Sequence, residues 1–135
     1  MEDLILKDTE QLAEALLLLS ADGDLPLPFE EDIFLYGAPV AGVMYVPDYP
    51  AIFDSLEVGE EVRLVREPEN EYDEYAVRLD VERDGGFHKI GYIPRSHNRI
   101  FARLMDAGKY LYGKVRVAEY DDQYPRAVVK IYMKD

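Results

Sequence analysis

The sequence predicts a mainly β domain, a small antiparallel barrel of about six strands with one inserted helix, preceded by a separate N-terminal helix. Three observations carry this reading. Several short segments after residue 39 are rich in β-branched and aromatic residues, and several alternate apolar with polar side chains. A hairpin turn signal, Arg83-Asp84-Gly85-Gly86, joins two of them. A single stretch with helical periodicity, Ile100, Phe101, Leu104 and Met105, interrupts the series.

Taken in order, the chain opens on a helix. Asp8 or Thr9 caps it, and Gln11 lies three residues after Asp8, as a capping box requires. Leu12, Leu16 and Leu19 recur at helical spacing, Leu17 and Leu18 widen the stripe, and Gly23 is a stop signal. The following segment contains Pro26 and Pro28, which forbid helix, so it reads as an extended linker. This divides the chain into an acidic helix-and-linker region, 1–35, and a barrel domain, 36–135.

Within the barrel the expected strands are Val40–Val46, Glu61–Arg66, Tyr75–Val81, His88–Ile93, Lys114–Tyr120 and Arg126–Met133. In the third, Val77, Leu79 and Val81 face one side, and Arg78 and Asp80 face the other. In the fifth, Val115 and Val117 alternate with Lys114 and Arg116. The inserted helix starts near Ser96, where Pro94 and Ser96 suit its first turn, and Gly108 ends it.

Composition narrows the function classes. The 135 residues hold 28 acids and 15 Lys or Arg, a net charge of −13. Spread evenly, that charge would oppose nucleic acid, because phosphate backbones are bound largely by Lys and Arg. It is not spread evenly. Residues 1–35 and residues 36–85 each carry −9, and residues 86–135 carry +5. Local potential, more than net charge, decides where an anion docks. With no Cys there is no disulfide framework, thiolate zinc site or thiol nucleophile.

The longest apolar run, Ala15 to Leu19, is far short of the roughly 20 residues of a membrane helix. Met1-Glu2-Asp3 is acidic where a secretory signal would be basic. The expected location is the cytoplasm of a bacterium, or the nucleus of a eukaryote, with no membrane partner.

Two stretches carry most of the information: Leu64–Val77, reading LVREPENEYDEYAV, and Ile90–Arg95, reading IGYIPR. With a strand pair between them and a helix after them, they resemble the HIRAN domain family. That family's pattern is R-[ED]-P, then x-N-x-Y-D-x-x-A-[IV], a strand, [IV]-G-[YH]-[IL]-[PK]-[RK] and a helix. The resemblance implies an OB-like barrel without catalysis or cofactor, found alone in bacteria or attached to Swi/Snf-type translocases and nucleases. From the family's best understood DNA-binding example it also implies a grip on the 3′ end of single-stranded DNA, suited to DNA repair and stalled-fork processing.

Residue by residue, the resemblance makes Asp73 the acid that accepts from the 3′-hydroxyl and Tyr72 its neighbouring aromatic. Asn70 becomes a polar contact of the same loop, Arg95 a phosphate contact, and Tyr45 and Tyr124 base-stacking rings. Tyr92 joins the same pocket, standing where the DNA-binding example has His. Met44 replaces an Arg of that example and Glu69 an Asn.

The residues also have plainer readings. Single-strand binders combine cationic grooves with aromatic platforms, but Tyr equally fills cores and interfaces. Asn70 and Asp73 are turn formers that bond local backbone, and Arg66 is placed to pair with an acid and pin the loop. The acids do not follow the calcium-loop spacing, so no metal is expected. His88 and His97 have no evident metal partners, no nucleophile elbow is visible, and no glycine-rich phosphate loop is present. The rival reading is a protein-interaction module that has lost DNA binding, favoured by Met44, Glu69 and the net charge. The leucine stripe of the N-terminal helix must be covered, either by packing on the barrel or by homodimerisation or docking on a partner such as a helicase or nuclease. A metal-dependent nuclease using the acid loop ranks below both.

Overall fold

In the computed structural model the described residues are 32–119 and 125–134. The N-terminal helix read at residues 8–23, its linker up to residue 31 and Tyr124 lie outside them, while Ile33–Leu35, read as part of the linker region, open the first strand. Residues 34–134 cluster as one unit.

Six strands form one antiparallel sheet. They are β1 (Ile33–Pro39), β2 (Glu61–Glu67), β3 (Ala76–Arg83), β4 (Gly86–Tyr92), β5 (Leu111–Glu119) and β6 (Arg126–Met133), in the spatial order β1-β6-β5-β2-β3-β4. Among the described residues two helices accompany it, α1 (Tyr49–Ser55) and α2 (Asn98–Asp106), with a 3₁₀ turn at Val43–Tyr45.

The alternation read in the sequence is what builds the core. Val77, Leu79 and Val81 of β3, Val62 of β2, Ile90 of β4 and Val129 and Ile131 of β6 are fully buried. Phe101 and Ala102 of α2 and Phe53 of α1 join them. The β3–β4 hairpin turns at Asp84 and Gly85, both with positive φ, as a tight primed turn demands. Helix α2 ends in a Schellman motif. Gly108 adopts φ +91, its N–H reaches the Met105 carbonyl at 2.9 Å, and the Lys109 N–H reaches the Leu104 carbonyl at 3.0 Å.

Two elements depart from the expectation. The first strand is not Val40–Val46; it lies earlier, at Ile33–Pro39. Pro39 and Pro47 bracket the expected segment, and Gly42 turns the chain at φ +72, so the apolar run Val43–Val46 coils into the 3₁₀ turn. Tyr45 therefore sits on that turn and not in a strand. The second departure is α1, which the sequence reading passed over. Pro50 stands in its first turn, where a missing N–H costs nothing, and Phe53 is its buried anchor.

The strand ladder has two edges, β1 and β4. They are linked just past β1 by an isolated bridge. The Ala41 N–H donates to the Tyr92 carbonyl at 2.8 Å, and the Tyr92 N–H donates to the Ala41 carbonyl at 2.9 Å. Here Gly91 approaches the opposing chain so closely that a Cβ on it would fall 2.5 Å from the Ala41 oxygen.

Candidate nucleic-acid interface

The bridge forms one wall of a cleft of about 370 Å³. Ala41, Gly42, Tyr92 and Ile93 line it from the bridge side, and Asn70, Tyr72, Asp73, Arg95 and Asn98 line it from the β2–β3 loop and the start of α2. Five residues singled out above, Asn70, Tyr72 and Asp73 from one stretch and Tyr92 and Arg95 from another some twenty residues on, thus surround one space. Tyr45 is not among the lining residues; its ring is 89% exposed on the adjoining 3₁₀ turn. Tyr124 falls outside the described residues.

The β2–β3 loop is held by its own polar side chains. The Asn70 Oδ1 accepts the backbone N–H of Tyr72 at 2.8 Å and of Asp73 at 3.1 Å. The Asp73 Oδ1 accepts the N–H of Tyr75 at 2.9 Å. These are the local turns that Asn and Asp favour. They leave the Tyr72 ring outside, 79% exposed. Arg66 ties the loop's root to α2, with Nε and Nη2 on the two Asp106 oxygens at 3.0 and 3.1 Å and Nη1 on the Ala76 carbonyl at 3.1 Å.

Asp73 faces the cleft through Oδ2. Asn98 donates to that oxygen at 2.7 Å, and the Arg95 Nε lies 3.7 Å away. Arg95 also donates through Nη2 to the Tyr72 carbonyl at 2.6 Å, yet three quarters of its side chain remains exposed. The cleft therefore presents a carboxylate, a guanidinium and an aromatic face side by side. That set can accept from a hydroxyl, hold a phosphate and stack a base. Tyr92 contributes its ring alone, because its hydroxyl donates to the Glu67 Oε1 at 2.9 Å.

Sequence reasoning missed Glu67 and Asn98. Glu67 accepts from the Asn70 Nδ2 at 3.0 Å, from the Tyr92 hydroxyl, and through Oε2 from the Arg78 Nη1 at 2.9 Å. It couples the loop, the β4 wall and β3 in one carboxylate. Burial pushes the Glu67 carboxyl up, but the three donors together outweigh it and hold it below the ordinary value of 4.5. Burial and the bond to Glu67 push the Tyr92 hydroxyl up, which keeps it a donor. Asn98 is 3% exposed and shares a face with Phe101 and Ala102. A polar residue at the head of an otherwise apolar helical stripe was the available signal for it.

The lowered Glu67 value sets a pH dependence. A carboxyl whose folded value lies below its unfolded one adds stability that is complete above the unfolded value and is lost as pH falls through the folded one. Melting temperature is expected to drop below pH 4.5, and Glu67→Gln is expected to flatten that acid limb. Glu60, held low chiefly by its hydrogen bond from Arg83, accounts for part of the slope that remains. Melting curves of both proteins between pH 3 and 6 check this; equal acid limbs would exclude the role given to Glu67.

Among the described residues no group of three His, Asp or Glu side chains is placed to hold a metal. None of the described helices is long and apolar enough to cross a membrane.

Residues 33–134 match the model of the HIRAN domain family. Among solved structures, a protein from Lactobacillus plantarum is similar at 35% identity with a TM-score of 0.68, over 76% of this chain and 95% of that one. The HIRAN domain of human HLTF superposes with a TM-score of 0.57 at 18% identity, over 76% of this chain and 78% of that one, a likeness of fold. No curated protein matches the sequence. The family match spans the sheet, both helices and every described residue of the cleft, so this chain belongs to the HIRAN domain family, known as nucleic-acid-binding modules.

Proposed function

We propose that the protein is a non-catalytic module that grips the 3′ end of single-stranded DNA, in repair or replication-fork processing. The observation that supports it is the convergence of the exposed Tyr72 ring, the Asp73 carboxylate and the Arg95 guanidinium on one cleft. The terminal base stacks on Tyr72, the 3′-hydroxyl donates to Asp73, and Arg95 holds a backbone phosphate. Tyr45 and Tyr124 are base-stacking positions of the same reading. It works in the cytoplasm or nucleus, beside a helicase or nuclease partner, and homodimerises through residues 8–20.

Fluorescence anisotropy with short labelled strands tests the proposal. A 3′-hydroxyl strand is expected to bind more tightly than a 3′-phosphate strand, whose extra charge meets Asp73. Tyr72→Ala is expected to weaken binding by about 1–3 kcal/mol, the worth of one stacked base. Loss of binding with added salt is expected to be shallow, at about 0.7 in the log–log slope per phosphate held. If neither strand binds at low salt, the reading is wrong.

A second reading, a protein-interaction surface, draws on Met44 and Tyr45, neighbours on the 3₁₀ turn that expose 61% and 89% of their area. Retained DNA binding by a Met44→Ser, Tyr45→Ser variant, with loss of a partner's capture, would favour it.

A further inference from the structure

Beside the cleft, across the ridge made by Tyr72, Asp73, Arg95 and Asn98, runs a second and more open groove of about 650 Å³. The two spaces share those four residues and Asn70, so they adjoin each other. Tyr75 and Arg99 line the second groove only. The Arg99 guanidinium lies over the Tyr75 ring, 5.3 Å from its centroid. Arg99 projects from the first turn of α2 and is exposed.

The two arginines of the ridge differ in their engagement. Arg95 donates to the Tyr72 carbonyl and stands beside the Asp73 carboxylate. Arg99 makes no ion pair with any carboxylate among the described residues, and its contact is the Tyr75 ring. A guanidinium laid on a ring keeps its N–H groups free at the rim while its outer face remains flat. That is a platform for a nucleobase with a phosphate donor at its edge. Glu71 and Glu74 also border the groove and lend it negative charge, so its attraction is local to Arg99 and not a broad field.

We propose that Tyr75 and Arg99 form the subsite for the second nucleotide from the strand's end. Its base stacks on the guanidinium and its 3′-side phosphate, the linkage to the terminal nucleotide, accepts from Arg99. This rests on the end-gripping reading above and extends it by one nucleotide, fixing the direction in which the strand leaves the cleft.

The test uses the full chain and 3′-hydroxyl oligothymidylates of one to four nucleotides, read by anisotropy or competition. For the unaltered protein, affinity is expected to rise by about tenfold between one and two nucleotides, the scale of one stacked base. Arg99→Ala is expected to remove that step and to lower the salt slope by about 0.7, one phosphate. Arg99→Lys, which keeps the charge but not the plane, is expected to restore the slope and not the full step. A methylphosphonate at the last linkage is expected to weaken binding to the unaltered protein and leave Arg99→Ala unaffected. Since Arg99 is exposed, matching melting curves establish that the variants are folded. If Tyr72→Ala weakens binding while Arg99→Ala leaves the length step and slope intact, the subsite is overturned and the end grip stands. If the unaltered protein binds no single strand at low salt, both fall together.

Discussion

Gly91→Ala is expected to cost about 3 kcal/mol or more of folding stability, from a strained backbone and an overpacked contact together. At φ +153 the residue occupies a region that side chains rarely enter, and its Cβ would meet the Ala41 oxygen and the Val40 Cγ1, each at 2.5 Å. The first of those neighbours is backbone, pinned by the two hydrogen bonds of the Ala41–Tyr92 bridge. It cannot yield without breaking the link between the two sheet edges. For a domain of this size, 1 kcal/mol moves the melting temperature by about 4–8 °C, so a fall of about 12 °C or more is expected. Gly108→Ala is the control. It too has positive φ, but no atom lies within 4 Å of its Cβ position, so only the strain of about 1 kcal/mol is expected. Thermal melts of the two variants decide the matter; a Gly91→Ala protein no less stable than Gly108→Ala would refute the packing argument.

Asp80→Ala is expected to destabilise by about 3 kcal/mol, the scale of breaking a buried ion pair from one side. Asp80 is 2% exposed although it lies on the face of β3 opposite the core strands. Arg78 covers it, donating Nε at 2.9 Å and Nη2 at 3.0 Å, and Arg63 on β2 adds Nη2 at 3.1 Å. Arg63 is itself laid over the Phe87 ring of β4 at 3.5 Å. Removing the carboxylate leaves two cations facing each other across the β2–β3 ladder. The loss also reaches the cleft, because Arg78 is the third donor to Glu67, and Glu67 holds Asn70. Urea denaturation measures the first effect. A double variant, Arg78→Met with Asp80→Leu, is expected to recover most of the stability, since a packed apolar pair of similar volume replaces an ion pair at little cost. If Asp80→Ala loses less than about 1 kcal/mol, the network is an ordinary surface pair.

The parts of the fold that could be read from the sequence are those where one local rule acts alone. Val77, Leu79 and Val81 alternate because only one face of β3 meets the core, and all three are buried. The Arg83–Gly86 turn and the Gly108 stop depend on backbone geometry that few residues permit. Strand β1 was missed because its seven residues, IFLYGAP, alternate poorly, follow the Pro26 and Pro28 segment and end in Pro39. Its pairing is supplied by β6, some ninety residues later. The same holds for the site. Asn70 and Asp73 were legible as turn formers, and they bond the loop backbone as that reading requires. Asn98 and Glu67 were not, since each gains its role only when α2 and β4 are brought against the loop.

The bridge between Ala41 and Tyr92 bears on how the molecule is assembled in time. Its partners are about fifty residues apart in the chain. The β3–β4 hairpin, by contrast, closes over a two-residue turn. Closing long loops is entropically dearer, and folding rates fall as contacts become less local. The wall of the cleft is thus far less local than the hairpin beside it, and a nascent or truncated chain holding only β2 to β4 carries Asn70, Tyr72, Asp73 and Tyr92 without Ala41, Arg95 or Asn98, the residues that complete the cleft.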